Sequence, residues 1–147
     1  MLGLLIALIL IQFVQPSRNK GSGMLSTDLT STHNVPANVQ NILKASCYDC
    51  HSNNTSYPWY SNIQPFGWLL ASHIKKGKAE LNFSEFSSYP LRRKITKLNG
   101  ITNSIKDGTM PLSSYTMLHK NARLSKDDKA LLIDWSARMK DSLMLKK

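Results

Sequence analysis

Cysteine is confined to one short stretch of this 147-residue chain, at Cys47 and Cys50, with His51 next to it. No second cluster of Cys or His exists, which excludes a structural zinc site, since such sites draw about four ligands from paired clusters. No strand pattern is present either, which removes the α/β setting of a thioredoxin-like redox pair. Internal repeats and low-complexity tracts are absent, and no cysteine is left over for a lipoprotein anchor. Acidic residues are scarce, with 9 Asp and Glu against 19 Lys and Arg for a formal net charge of +10. Nearly all of that excess lies from His73 onward, where 16 Lys and Arg meet 7 acids. Such a field favours an acidic protein partner or an anionic membrane surface and raises encounter rates at low salt, although a solvated basic face reads equally well. Nucleic acid would also suit a basic chain, but no recognition motif accompanies the charge.

What stands at the cysteines is Cys47-Tyr48-Asp49-Cys50-His51, the spacing at which c-type haem is attached. The two thiols add across the porphyrin vinyl groups, and the histidine reaches the iron as proximal ligand. A plain disulfide would have no use for His51. The motif therefore predicts one covalent haem c held by Cys47, Cys50 and His51. A six-coordinate iron needs a second axial ligand, and Asp107-Gly108-Thr109-Met110-Pro111 offers Met110 in a loop bracketed by Gly and Pro. Met/His ligation stabilises ferrous iron and raises the potential, which suits electron transfer. Core packing is the competing role for Met110. His73, within a helical stretch, is the chief rival ligand, and Met117, His119 and His33 are weaker ones.

The hydrophobic share of 41%, with three Trp and four Phe, is ordinary for a globular protein. Three regions follow from the pattern: an apolar signal or anchor segment over residues 1–15, a flexible tether over 16–34, and a haem-binding domain over 35–147. The apolar run from Leu2 to Val14 covers about 20 Å at helical rise, short of the roughly 30 Å hydrocarbon core. It fits a signal-peptide core or an abbreviated anchor. No basic residue precedes it and Arg18 and Lys20 follow it, the wrong bias for export; a retained anchor is the favoured reading. The next twenty residues are rich in Ser, Thr, Asn and Gly and read as a tether.

Beyond the tether the pattern is helical. Pro36 opens a helix with Val35, Val39, Ile42 and Leu43 on one face, which puts the haem motif at a helix C-terminus. Residues 53–65 read as loop, followed by a helix over about 65–76 that presents Phe66, Leu69, Leu70 and Ile74 to the core. Residues 81–89 read as irregular. A third helix carries Leu91, Ile95, Leu98 and Ile105 in register, with Gly108 as its stop. Ser125 and Asp128 form a capping box with Asp in place of the usual Glu, starting a helix with a Leu131, Leu132, Trp135 and Met139 stripe. Trp68 and Trp135 read as helix-face packing. Trp59 and Tyr60 are divided between propionate contact and core filling, and Arg92 and Arg93 between propionate neutralisation and the surface.

The segments Val35-Pro36-Ala37-Asn38-Val39, Ser46 through Asn53, Tyr57-Pro58-Trp59-Tyr60 and Trp68-Leu69-Leu70-Ala71 resemble the haem-binding domain family of bacterial exported proteins, which belongs with the monohaem c-type cytochromes. Leu81 through Phe86, Gly108 through Leu112, Ser114-Tyr115 and Ala122 through Ser125 extend the likeness in order, over some two thirds of the chain. The resemblance implies a mostly α, cytochrome-c-like fold around one covalent haem, with His51 proximal and Met110 distal. It also implies an amino-terminal anchor, although the run ending Phe13-Val14-Gln15-Pro16 lacks the usual basic start.

The expected function is a periplasmic or membrane-tethered monohaem cytochrome, not an enzyme, that passes single electrons between redox partners with acidic docking faces. An open distal iron would instead make a small-ligand sensor or a peroxidase, although no side chain declares itself as the distal acid or base that peroxide chemistry needs. A third possibility is an interaction module that uses haem mainly as a structural core.

Overall fold

The computed structural model describes residues 1–21, 23 and 25–145. Among the described residues eight α-helices follow in order: α1 Leu2–Leu10, α2 Leu29–Thr32, α3 Ala37–Ser46, α4 Tyr48–His51, α5 Phe66–Glu80, α6 Leu91–Lys106, α7 Ser113–Leu118 and α8 Lys126–Leu145. Short 3₁₀ turns lie at Ile11–Phe13, Trp59–Asn62, Phe83–Ser88 and Lys120–Ala122. Among the described residues β pairing is limited to an isolated antiparallel bridge between Lys20 and Asn54. The fold is therefore mostly α, as the periodicity requires.

Two long helices, α6 and α8, pack along each other and form one wall of the core. Leu98 and Ile105 from α6 meet Leu132, Trp135 and Met139 from α8, and all five are buried. Val39 and Leu43 of α3 close the cluster from the other side. The start of α8 is the reciprocal cap read from sequence. The Ser125 amide donates to Asp128 Oδ2 at 2.9 Å and the Asp128 amide donates to Ser125 Oγ at 3.0 Å. These bonds satisfy two amides that the first helical turn leaves open. Ser125→Ala is expected to lower stability by about 1 kcal/mol, read as a shift of the urea midpoint with an unchanged slope.

Three expectations are corrected by the packing. First, α5 buries Gly67, Leu70 and Ile74, whereas Phe66 and Leu69 are about half exposed. The reason is that α5 docks through its glycines. A Cβ at Gly67 would lie 2.6 Å from the Ser61 carbonyl oxygen, and one at Gly77 would lie 2.6 Å from that of Cys50. Phe66 and Leu69 are therefore turned off the face that meets the domain, while Leu70 and Ile74 remain on it. Trp68 is likewise 36% exposed and is not core, while Trp135 is.

Second, the stretch expected to be irregular supplies the centre of the core. Leu81, Phe83, Phe86 and Tyr89 are all buried around the Phe83–Ser88 turn, whose start is capped by Asn82 accepting from the Ser84 amide.

Third, the described residues of 16–34 are not a free tether. The Gly21 amide donates to the Asn53 carbonyl at 2.7 Å and the Thr55 amide to that of Asn19 at 3.0 Å. The Asn19 side chain donates to the Ser52 carbonyl and the Thr55 hydroxyl, and Leu29 is fully buried in the core cluster. Composition alone reads such a polar stretch as flexible, because its partners lie some thirty positions away.

The apolar residues 1–15 form α1 and the 3₁₀ turn that follows. Among the described residues no helix is long and apolar enough to cross a membrane, so the anchor expected there is not present as a spanning helix.

Candidate functional site

Cys47 ends α3, and the chain turns there into the single turn α4, with the Cys50 and His51 amides both donating to the Cys47 carbonyl at 3.2 and 2.9 Å. One helical turn thus carries both thiols and the imidazole. Both cysteines are free thiols and half-buried. Burial, reinforced by the neighbouring Cys50, pushes the Cys47 thiol up to about 12. Burial and then Asp49 push the Cys50 thiol up to about 11. A redox or nucleophilic pair needs a depressed thiol pKa, so this environment argues against a thioredoxin-like role.

His51 is oriented by the chain that follows α5. Its Nδ1 lies 3.0 Å from the Leu81 carbonyl oxygen, to which only a protonated Nδ1 can donate. Its ring meets Phe83 edge-on at 6.3 Å, and Phe83 in turn stacks on Tyr48 at 5.1 Å. Burial lowers the His51 pKa, with the Leu81 carbonyl opposing. The lowered pKa and an Nδ1–H held by the Leu81 carbonyl favour the tautomer in which Nε2 is the metal-binding nitrogen.

Gly77 brings α5 against α4 backbone to backbone. Gly77→Ala is expected to destabilise the protein by about 1–3 kcal/mol, the cost of overpacking a closed contact. Because the clash is with the Cys50 carbonyl, the same variant should also lower the yield of haem-loaded protein in expression.

Two cavities flank the motif. One, of about 380 Å³, is lined mainly by apolar side chains of α3, α6 and α8, with Cys47 at its wall. The other, of about 360 Å³, has Cys50, His73 and Tyr115 in its wall. Among histidines and methionines of the described residues, His51 and Met110 alone border both. Met110 owes its place to the end of α6. Gly108 takes a positive φ of 67°, its amide donates to the Ile105 carbonyl, and the Thr109 amide donates to that of Ser104. This is the paired 5→2 and 6→1 closure that ends a helix at a left-handed glycine. Met110 follows at once, 37% exposed at the shared mouth.

The other candidates are placed elsewhere. His73 borders only the second cavity. His119 is hydrogen-bonded through Nε2 to the Tyr60 hydroxyl at 2.8 Å, His33 packs edge-on against Phe86, and Met117 is exposed. Trp59 and Tyr60 line neither cavity, nor do Arg92 and Arg93; Arg93 lies over the Tyr89 ring. The cations at the cavities are Lys97 in the first and Lys76 in the second. Lys97 also pairs with Glu80 at 3.4 Å. Sequence reasoning missed both lysines, which are lost among the many of the basic half.

It also missed Asp49. The Tyr115 hydroxyl donates to Asp49 Oδ2 at 2.6 Å, tying α7 to the haem motif. The Ser56 amide donates to the other carboxylate oxygen. Tyr115 stacks on His119 at 4.1 Å.

The sequence model of a haem-binding domain family matches residues 6–138. The chain belongs to the haem-binding domain family. No curated protein and no solved structure matches it significantly. Membership agrees with the geometry of this haem-binding domain: free thiols on one helical turn, an imidazole oriented by the Leu81 carbonyl, and largely apolar space on either side. Among the described residues no group of three or more His, Cys, Asp or Glu is placed to hold a bare metal ion.

Proposed function

We propose that this haem-binding domain is a monohaem c-type cytochrome that carries one electron at a time and performs no bond chemistry. The observation that carries the reading is that His51 and Met110 border both cavities; these are the two side chains that would hold a haem iron there. Cys47 and Cys50, one on each cavity, would hold the macrocycle through thioether bonds. Bound haem supplies a one-electron change at iron, and the chain determines its potential. His51 keeps its ring orientation through the Leu81 carbonyl, and Met110 offers a soft thioether that favours the ferrous state. The apolar walls exclude water, and Lys97 and Lys76 are the cations available to the propionates. The CxxCH chemistry requires maturation outside the cytoplasm, so the protein works in the periplasm or on the outer face of the membrane. Its net charge of +10 favours redox partners with acidic docking faces.

The test is to express the chain in a host with cytochrome c maturation and record oxidised and reduced spectra of the pure product. Haem that survives denaturing electrophoresis, together with the weak far-red ferric band of Met ligation, is expected. Covalent haem without that band would transfer the distal role to His73 or leave the iron open to small ligands. Absence of covalent haem would overturn the reading.

A further inference from the structure

Many of the exposed large apolar side chains of this protein lie in residues 2–14 and 59–69. All of α1 is exposed, and the segment after it bonds to Asn62, Gln64 and Trp68, whose chain neighbours Trp59, Phe66 and Leu69 are 76%, 53% and 52% exposed. Contiguous apolar surface of this kind on a water-soluble domain marks a contact site. Nine helical residues rise about 13.5 Å, close to the depth of one leaflet of a hydrocarbon core of roughly 30 Å. Exposed Trp beside an apolar helix is the pattern of side chains that settle at headgroup level.

Charge points the same way. Residues 1–27 and 50–79, which build this side, contain no Asp or Glu, yet they carry Arg18, Lys20, Lys75, Lys76 and Lys78. Asp49 and Glu85 border these segments, accepting from Ser56 and Asn53, and the five cations leave a net positive charge that complements anionic lipid.

The helix is fastened to the domain by a polar clasp. Gln12 and Gln64 bond reciprocally: the Gln64 amide donates to Gln12 Oε1 at 2.8 Å and Gln12 Nε2 donates to the Gln64 carbonyl at 3.2 Å. Gln64 Nε2 donates to Gln15 Oε1 at 3.0 Å, and Trp68 Nε1 donates to the Val14 carbonyl at 2.8 Å. Gln64 is only 3% exposed, so its bonds to Gln12 are partly shielded from water. A swinging tether would need none of them.

We propose that α1 and the ring cluster of Trp59, Phe66 and Leu69 seat the domain on an anionic phospholipid bilayer in one orientation, fixed by the Gln12–Gln15–Gln64 clasp. The inference extends the membrane part of the proposed function and is independent of its haem part. In this seating the first turns of α5 face lipid, and the crevice residues His73, Lys76 and Gly77 follow about 10 Å further along the same helix. The haem crevice is thereby held at a set height above the surface.

The test uses the full haem-loaded chain and phosphatidylcholine vesicles containing a minor share of phosphatidylglycerol. Flotation with the vesicles is expected for the natural sequence and is lost in Leu5→Asp/Ile9→Asp. Accessibility to a membrane-impermeant maleimide, read by peptide mass, then reports orientation. A Trp59→Cys thiol is expected to react about tenfold or more slowly once vesicles are present, as for a side chain taken from water into the interface. A Ser142→Cys thiol on α8, which packs on α3 and α6, keeps its rate. Adding Gln12→Leu to Trp59→Cys should leave flotation intact and restore reactivity, because the anchor then swings. Flotation with equal rates at both thiols would overturn the fixed seat while sparing the anchor. Failure to float, with the chain eluting as a dimer or as a monomer, would overturn the bilayer as occupant. A normal haem spectrum in that same sample would show that the electron carrier survives the failure.

Discussion

A Cys47→Ala/Cys50→Ala chain is expected to emerge from a maturation-competent host with no haem that survives denaturing electrophoresis. Both thiols are free, both sit on the turn that carries His51, and no other cysteine exists to replace them. Thioether formation is the only covalent route open to this chain. Stability should fall as well, since the core is left with two cavities of about 380 and 360 Å³ that the macrocycle would otherwise fill. Single variants separate the two roles: one remaining thioether should retain haem at reduced yield. Covalent haem in the double variant, detected by peroxidase staining of the gel, would end the attachment claim.

Met110→Ala is expected to leave covalent haem in place and lower the midpoint potential by at least about 0.1 V, a part of the ~0.8 V range that axial ligation spans. Met110 is partly exposed at the end of α6, so its truncation opens no sealed core cavity and should cost little stability. The spectrum should lose the far-red ferric band, and carbon monoxide should bind the reduced protein. Unchanged potential and spectrum would point to a different distal ligand, and His73→Ala is the variant that would then carry the effect.

The site was more legible than the surface around it. The turn that carries Cys47, Cys50 and His51 is built from residues within five positions, so it declares itself in sequence. Met110 is local too: a left-handed glycine ends α6 and delivers the next residues to one place, and both the stop and the methionine can be read from Gly108 to Pro111. Asp49, Lys97 and Lys76 carry no such signal. The Asp49–Tyr115 bond joins residues 66 positions apart, and nothing in either neighbourhood announces it.

The same division runs through the fold. Sequence by itself determined the helical class, the faces of α3, α6 and α8, the Ser125–Asp128 cap and the turn that joins Cys47, Cys50 and His51, because each is decided by periodicity or by bonding within one helical turn. Tertiary structure decided which face of α5 is buried, since Gly67 and Gly77 draw backbones together more closely than Phe66 or Leu69 could allow. It also gave Phe83 and Phe86 to the core and laid the described residues of 16–34 against Asn53 and Thr55. Those outcomes depend on close approach and on hydrogen bonds between distant segments, whose free energy exists only once the partners have been brought together.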